Sequence, residues 1–174
     1  MNAPAKAPVL DGWFTLDEGA PHLLGSRCTT CGSYYFPKLK TFCRNPDCAG
    51  EAFEDVPLSR SGKLWSFTNA AYQPPEPYVQ VEKDAFVPFA IAAVELAKEK
   101  MIVLGQVVAG VGVESLKAGM TMELVLEPLA DGKLTWKWAP TPSPQPLSRK
   151  GRGAFDLPSP LAGEGGPKGR VRGA

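Results

Sequence analysis

Four cysteines fall in one window of 21 residues, as Cys28-Thr-Thr-Cys31 and Cys43-Arg-Asn-Pro-Asp-Cys48, with eleven residues between the pairs. Intervals of two and four residues let a tight turn aim two sulfurs at one ion about 2.3 Å away, and two such knuckles supply a tetrahedral set for Zn2+. None of the four is left over, which favours a metal centre over disulfides or a redox pair. Rubredoxin-like iron is the minor alternative, disfavoured by the longer second interval. Four thiolates fill the coordination sphere and leave no position for water or substrate, so the zinc expected on Cys28, Cys31, Cys43 and Cys48 is structural. Tyr34, Tyr35 and Phe36 supply the apolar mass that so small a module needs beside its metal.

Other catalytic chemistry finds little support. His22 is the single histidine, and its setting, Ala-Pro-His-Leu-Leu, offers no carboxylate or nucleophile partner, so a surface or capping role is expected. Metal binding would consume every thiol. Gly105, Gly110 and Gly112 fit no phosphate-binding loop and read as turn glycines. The acidic pairs Asp17/Glu18, Glu54/Asp55 and Glu82/Asp84 all lie in polar turns. The chain reads as non-catalytic.

The elements that must position the cysteines are mainly strands. Residues 62–71, 88–96, 102–108, 120–127 and 134–138 are short apolar runs bounded by Gly, Pro or charge, and five strands suggest a small barrel. Met120, Met122, Leu124 and Leu126 alternate with polar residues. So do Leu134, Trp136 and Trp138, opposed by Thr135 and Lys137, which predicts one buried face per strand. Trp65 and Phe67 are expected to face the barrel core. A single helical turn over 113–119, ended by Gly119, would plug the barrel between its third and fourth strands, the outline of an OB-fold. The expected organisation is mainly β: an arm over 1–27 with a short helix near Thr15 or Asp17, a rubredoxin-like zinc ribbon over 28–55, a five-stranded OB-fold barrel over 56–139, and a disordered tail over 140–174. The loop over 72–84 is long and proline-rich, with Pro74, Pro75 and Pro77 beside Tyr72 and Tyr78. Tyrosines anchor interfaces and prolines lower the ordering cost, so Tyr72, Pro74, Pro75 and Tyr78 are candidates for partner contact.

Charge narrows the partners. The chain of 174 residues carries 19 Lys and Arg against 18 Asp and Glu. Six of those bases and only two of those acids lie beyond residue 139, in a stretch holding seven Pro and seven Gly. The first 139 residues are therefore mildly acidic, which disfavours a polyanion binder working by bulk charge. Zinc ribbons and OB-folds both suggest nucleic acid, and Arg27, Lys38, Lys40, Arg44, Arg60 and Lys63 do sit near aromatics. Single-stranded nucleic-acid binding is thus the second choice. No run of about 20 apolar residues suggests a membrane span, and the N-terminus does not follow a secretory pattern, so a cytoplasmic location is expected.

Leu24-Gly-Ser-Arg-Cys28-Thr-Thr-Cys31-Gly32, then Phe36-Pro37 and the second cysteine pair, then Gly62-Lys-Leu-Trp-Ser-Phe-Thr68, Pro88-Phe-Ala-Ile-Ala-Ala-Val-Glu-Leu96 and Leu116-Lys-Ala-Gly-Met120, resemble in order the DUF35 family of zinc-ribbon OB-fold proteins. The likeness covers about residues 10 to 139; the tail departs from it. It implies a small non-catalytic subunit that assembles with a thiolase-like acyl-CoA enzyme, as in benzylsuccinate-type thiolase complexes, and supports carbon-carbon bond cleavage or formation next to a CoA thioester. A hydratase or an aldolase is the other partner the resemblance implies. Arg27, Lys38, Lys40 and Arg44 would then be candidates to meet the CoA phosphates, since Arg and Lys suit that target.

Overall fold

The computed structural model describes residues 7–17, 19–75, 85–129 and 131–141. The segment expected to be disordered, apart from Pro140 and Thr141, lies outside them, as does Tyr78. Eight strands follow one another: β1 (Leu24–Cys28), β2 (Tyr34–Tyr35), β3 (Phe53–Pro57), β4 (Ser61–Ala70), β5 (Phe89–Leu96), β6 (Met101–Val107), β7 (Thr121–Pro128) and β8 (Leu134–Pro140). The first three make a sheet of order β2-β1-β3, and the other five close into a barrel of order β4-β5-β6-β8-β7. A single 3-10 turn, Val113–Ser115, stands between β6 and β7.

Alternation decides which side chains fill the barrel. Ala90, Ala92, Val94 and Leu96 of β5 point inward and are buried. They meet Val103 and Val107 of β6, Met122 and Leu124 of β7, and Trp138 of β8, which is wholly enclosed. β4 breaks the alternation: its register with β5 shifts between Leu64 and Ser66. An extra residue in a strand re-aims its neighbours. Leu64 is therefore buried and Phe67 packs on the core, whereas Trp65, expected inside, is 62% exposed. A second correction concerns β8, where both faces are covered. Thr135 and Lys137 are buried on the outer side, and Glu127 reaches across from β7 to Lys137, its Oε2 2.8 Å from Nζ.

The short helix expected near Thr15 does not form in the described residues. Phe14 pairs instead with Leu23 in an antiparallel bridge, and Thr15 N–H donates to His22 O. The arm is extended and tied down: Pro8 pairs in parallel with Leu134, and Trp13 stacks on Trp136 at 5.9 Å. Phe36, from beside β2, meets both of these indoles edge-on. The same cluster joins the arm and the segment after β2 to β8.

The turn from β3 into β4 is fixed by polar contacts that the sequence did not announce. His22 Nδ1 lies 2.9 Å from Leu58 O, a capping role for the single histidine. Glu99, only 4% exposed, accepts from Ser59 N–H at 2.9 Å and from Ser59 Oγ at 3.0 Å through Oε1. Removing that acceptor would strand a part-buried N–H, which costs about 1–3 kcal/mol. Glu99→Ala should therefore lower unfolding stability by about that amount in urea denaturation, with Glu99→Gln restoring part of it. An unchanged midpoint would show that the Ser59 contacts add nothing.

Candidate functional site

The four cysteines converge. Cys28 ends β1, and a turn over residues 29–31 brings back Cys31, closed by Gly32 N–H donating to Cys28 O at 2.9 Å. Gly32 has φ +76°, a left-handed conformation open to glycine at little cost. The second knuckle is drawn in by Cys43 N–H to Gly50 O and Cys48 N–H to Asn45 O. At Gly50 a Cβ would stand 2.9 Å from Cys28 Sγ, so the chain passes the sulfurs too closely for any side chain.

All four Sγ atoms lie within 4.8 Å of one another. Cys28 and Cys48 are 3.9 Å apart, Cys31 and Cys43 3.5 Å. A tetrahedron with metal–sulfur bonds of about 2.3 Å has edges of about 3.8 Å, close to both of these separations, so the cage is of a size to hold Zn2+. The local electrostatics show why a dication belongs there. The Ser33 hydroxyl, 3.3 Å away, and the Ser33 N–H hold the Cys31 thiol down to about 6. Cys28 is lowered chiefly by the Cys31 N–H. Cys48 keeps a favourable bond from Gly50 N–H, yet burial and the surrounding sulfurs push it up to about 12. Four thiolates so close repel one another, and only a bound cation lets all of them ionise together. Tyr35 Oη, 3.1 Å from Cys43 Sγ, adds a contact around the sulfurs, and that bond raises the phenol above its usual range.

The four cations singled out from sequence differ in their surroundings. Arg27 pairs with Glu54 at 3.2 Å and lies over the Tyr34 ring; Lys38 pairs with Asp55 at 2.6 Å. Lys40 is exposed. Arg44 lines a cleft of about 460 Å³ with Lys98, Lys100, Asn45 and Tyr34, beside the Cys31 knuckle. Lys98 and Lys100 escaped sequence reasoning because they lie in the β5–β6 turn, far along the chain from Arg44, and only folding brings them together. Of the partner-contact candidates, Tyr72 is 77% exposed, and Pro74 and Pro75 line a separate, apolar groove on the barrel.

Comparison with known proteins bears on this architecture directly. Residues 18–54 match the family described as the ChsH2 rubredoxin-like zinc ribbon domain, and residues 55–127 the ChsH2 C-terminal OB-fold domain. A DUF35 domain-containing scaffold protein of Methanocaldococcus jannaschii is 33% identical over 119 residues, which covers 66% of this chain and 77% of that protein. The chain belongs to the DUF35 family. Two further relatives are benzoylsuccinyl-CoA thiolase subunits BbsA, from Thauera aromatica (57% identical over 53 residues) and Geobacter metallireducens (50% over 54 residues). Each match covers 30% of this DUF35 chain, and only 35% and 34% of the BbsA subunits' own lengths. A solved structure, the Ltp2-ChsH2(DUF35) aldolase, superposes with a TM-score of 0.52 at 22% identity, over 68% of this chain and 84% of that one, and shows the shared fold. The two domain matches make the four-cysteine cage a zinc-ribbon site and the barrel an OB-fold. No helix among the described residues is long and apolar enough to cross a membrane.

Proposed function

We propose that this DUF35 chain is a non-catalytic subunit that assembles with a thiolase-like acyl-CoA enzyme and supports carbon-carbon bond cleavage or formation next to a CoA thioester. The identity to two thiolase subunits carries the reading. The chain's own chemistry supports it: its thiols converge on one metal cage, and its histidine caps the Leu58 carbonyl. The nucleophile, and the base that activates it, would come from the partner. Arg27 and Lys38 are engaged by neighbouring carboxylates, so in this reading Arg44, with Lys98 and Lys100, is the part of the surface that meets the CoA phosphates.

Purification of the tagged chain from its own cells tests the proposal. A thiolase-fold subunit should be recovered in fixed stoichiometry, and the isolated chain should show no turnover of acyl-CoA thioesters. Recovery of an aldolase or hydratase instead would keep the accessory role and change the reaction. Turnover by the chain alone would overturn the proposal, as would recovery of nucleic acid.

A further inference from the structure

The four cysteines of the cage are not equally shielded. Cys28 is 1% and Cys43 6% exposed, Cys48 is half-buried, and only Cys31 is exposed. The chain at Gly50 runs close against Cys28 Sγ, and Tyr35 Oη lies 3.1 Å from Cys43 Sγ. Cys31 alone of the four lines the cleft of about 460 Å³ that holds Arg44. A small reagent entering that cleft therefore meets one sulfur of the cage before the others.

The cleft is also suited to a reaction that expels an anion. Arg44, Lys98 and Lys100 line it against one carboxylate among the described residues, Glu99, whose Oε1 is taken by Ser59. Ser33 Oγ lies 3.3 Å from Cys31 Sγ. Cations and hydroxyl donors beside a reacting sulfur stabilise charge that develops on a leaving group. Behind Cys31 stands its nearest sulfur neighbour, Cys43 Sγ, at 3.5 Å. A disulfide of about 2.05 Å would form there if the two sulfurs closed by about 1.5 Å. Cys43 is thus screened from the cleft and still within reach of Cys31.

We infer that Cys31 is a peroxide-modified site and that Cys43 resolves it, so that oxidation through the cleft converts the zinc cage reversibly into a Cys31–Cys43 disulfide. The Cys31 sulfur donates an electron pair to one peroxide oxygen, the O–O bond breaks, and hydroxide leaves and takes a proton to become water. Cys31 is then a sulfenic acid. The Cys43 thiolate attacks that sulfur, the S–S bond forms, and a second hydroxide leaves and is protonated. Two electrons pass from two thiolates to one peroxide, and two protons from solvent complete two waters. Cys28 and Cys48 alone do not make a tetrahedral set, so the ion is lost and the ribbon with it. The inference rests on the zinc cage and not on which enzyme the chain joins.

Hydrogen peroxide added to the zinc-loaded full chain, with a chromogenic zinc chelator present, provides the test. Zinc release should keep pace with a first disulfide between Cys31 and Cys43, mapped by mass spectrometry after the remaining thiols are alkylated at Cys28 and Cys48. A dithiol with added zinc should restore the original melting profile. Neutralising the cleft with Lys98→Gln and Lys100→Gln, which touches no cysteine, should slow release at least about threefold. A first disulfide between any other pair would overturn the proposal. So would an unchanged rate in the neutralised variant, no recovery with dithiol and zinc, or zinc retained after the same peroxide has consumed added free cysteine.

Discussion

Cys43→Ser should reduce bound zinc from one equivalent to nearly none and unfold the three-stranded sheet. Cys43 is 6% exposed and contributes to both knuckles: its sulfur lies against Cys31 and Tyr35, and its N–H against Gly50. A hydroxyl in its place is a poor ligand at neutral pH. Structural zinc contributes on the order of 10–16 kcal/mol to modules of this size, far more than the Tyr35–Phe53 contact and the short β1–β2 ladder could replace. Metal analysis together with thermal unfolding checks it, and a variant that kept its zinc and its melting profile would refute a structural site built on all four cysteines. Acid should act in the same direction. A thiol whose folded-state value is depressed, as at Cys31 near 6, contributes stability that is present above its unfolded value and lost as pH falls through 6. Cys48, raised to about 12 without metal, must give up its proton on binding, so zinc affinity should also rise with pH.

Trp138→Ala should cost about 3–5 kcal/mol, the range for deleting a large buried aromatic side chain. Trp138 is fully buried at the centre of the barrel core. Its Nε1 has no hydrogen-bond partner, so Trp138→Phe sacrifices no bond and should cost clearly less than the alanine. The site is also closed to growth. A Cβ on Gly105 would come within 2.8 Å of the Trp138 ring, so Gly105→Ala overpacks the core at about 1–3 kcal/mol. Contacting residues couple, so in a Trp138→Leu background the same glycine substitution should cost roughly half as much or less. Urea unfolding of the four proteins of that cycle measures the coupling. Additive effects would mean that Gly105 and Trp138 do not share the space the structure gives them.

Much of this was legible without coordinates because it rests on local chemistry. The two cysteine intervals specify a metal cage through turn geometry alone, and the five barrel strands fell within one or two residues of their expected ends because period-2 alternation is a local signal. The misplaced residues share a cause. Trp65 was expected inside because nothing in residues 62–68 announces a bulge, which is a property of the pairing with β5. Thr135 and Lys137 were expected on an open face because the carboxylate that covers Lys137 comes from another strand. The helix near Thr15 gave way to the bridge between Phe14 and Leu23, a tertiary preference that overrides a weak local propensity.

The sequence by itself determined the metal, the class of fold and the resemblance to DUF35, since these follow from residue types at short spacing and from the order of motifs. Tertiary structure decided which charges are paired, how the arm and Glu99 bind the ribbon to the barrel, and where the barrel closes. The physical reason is that pairing and burial depend on residues far apart in the chain. Arg27 is neutralised by Glu54 across β1 and β3, Arg44 gains Lys98 and Lys100 from a distant turn, and β6 and β8 close the barrel over only two residue pairs.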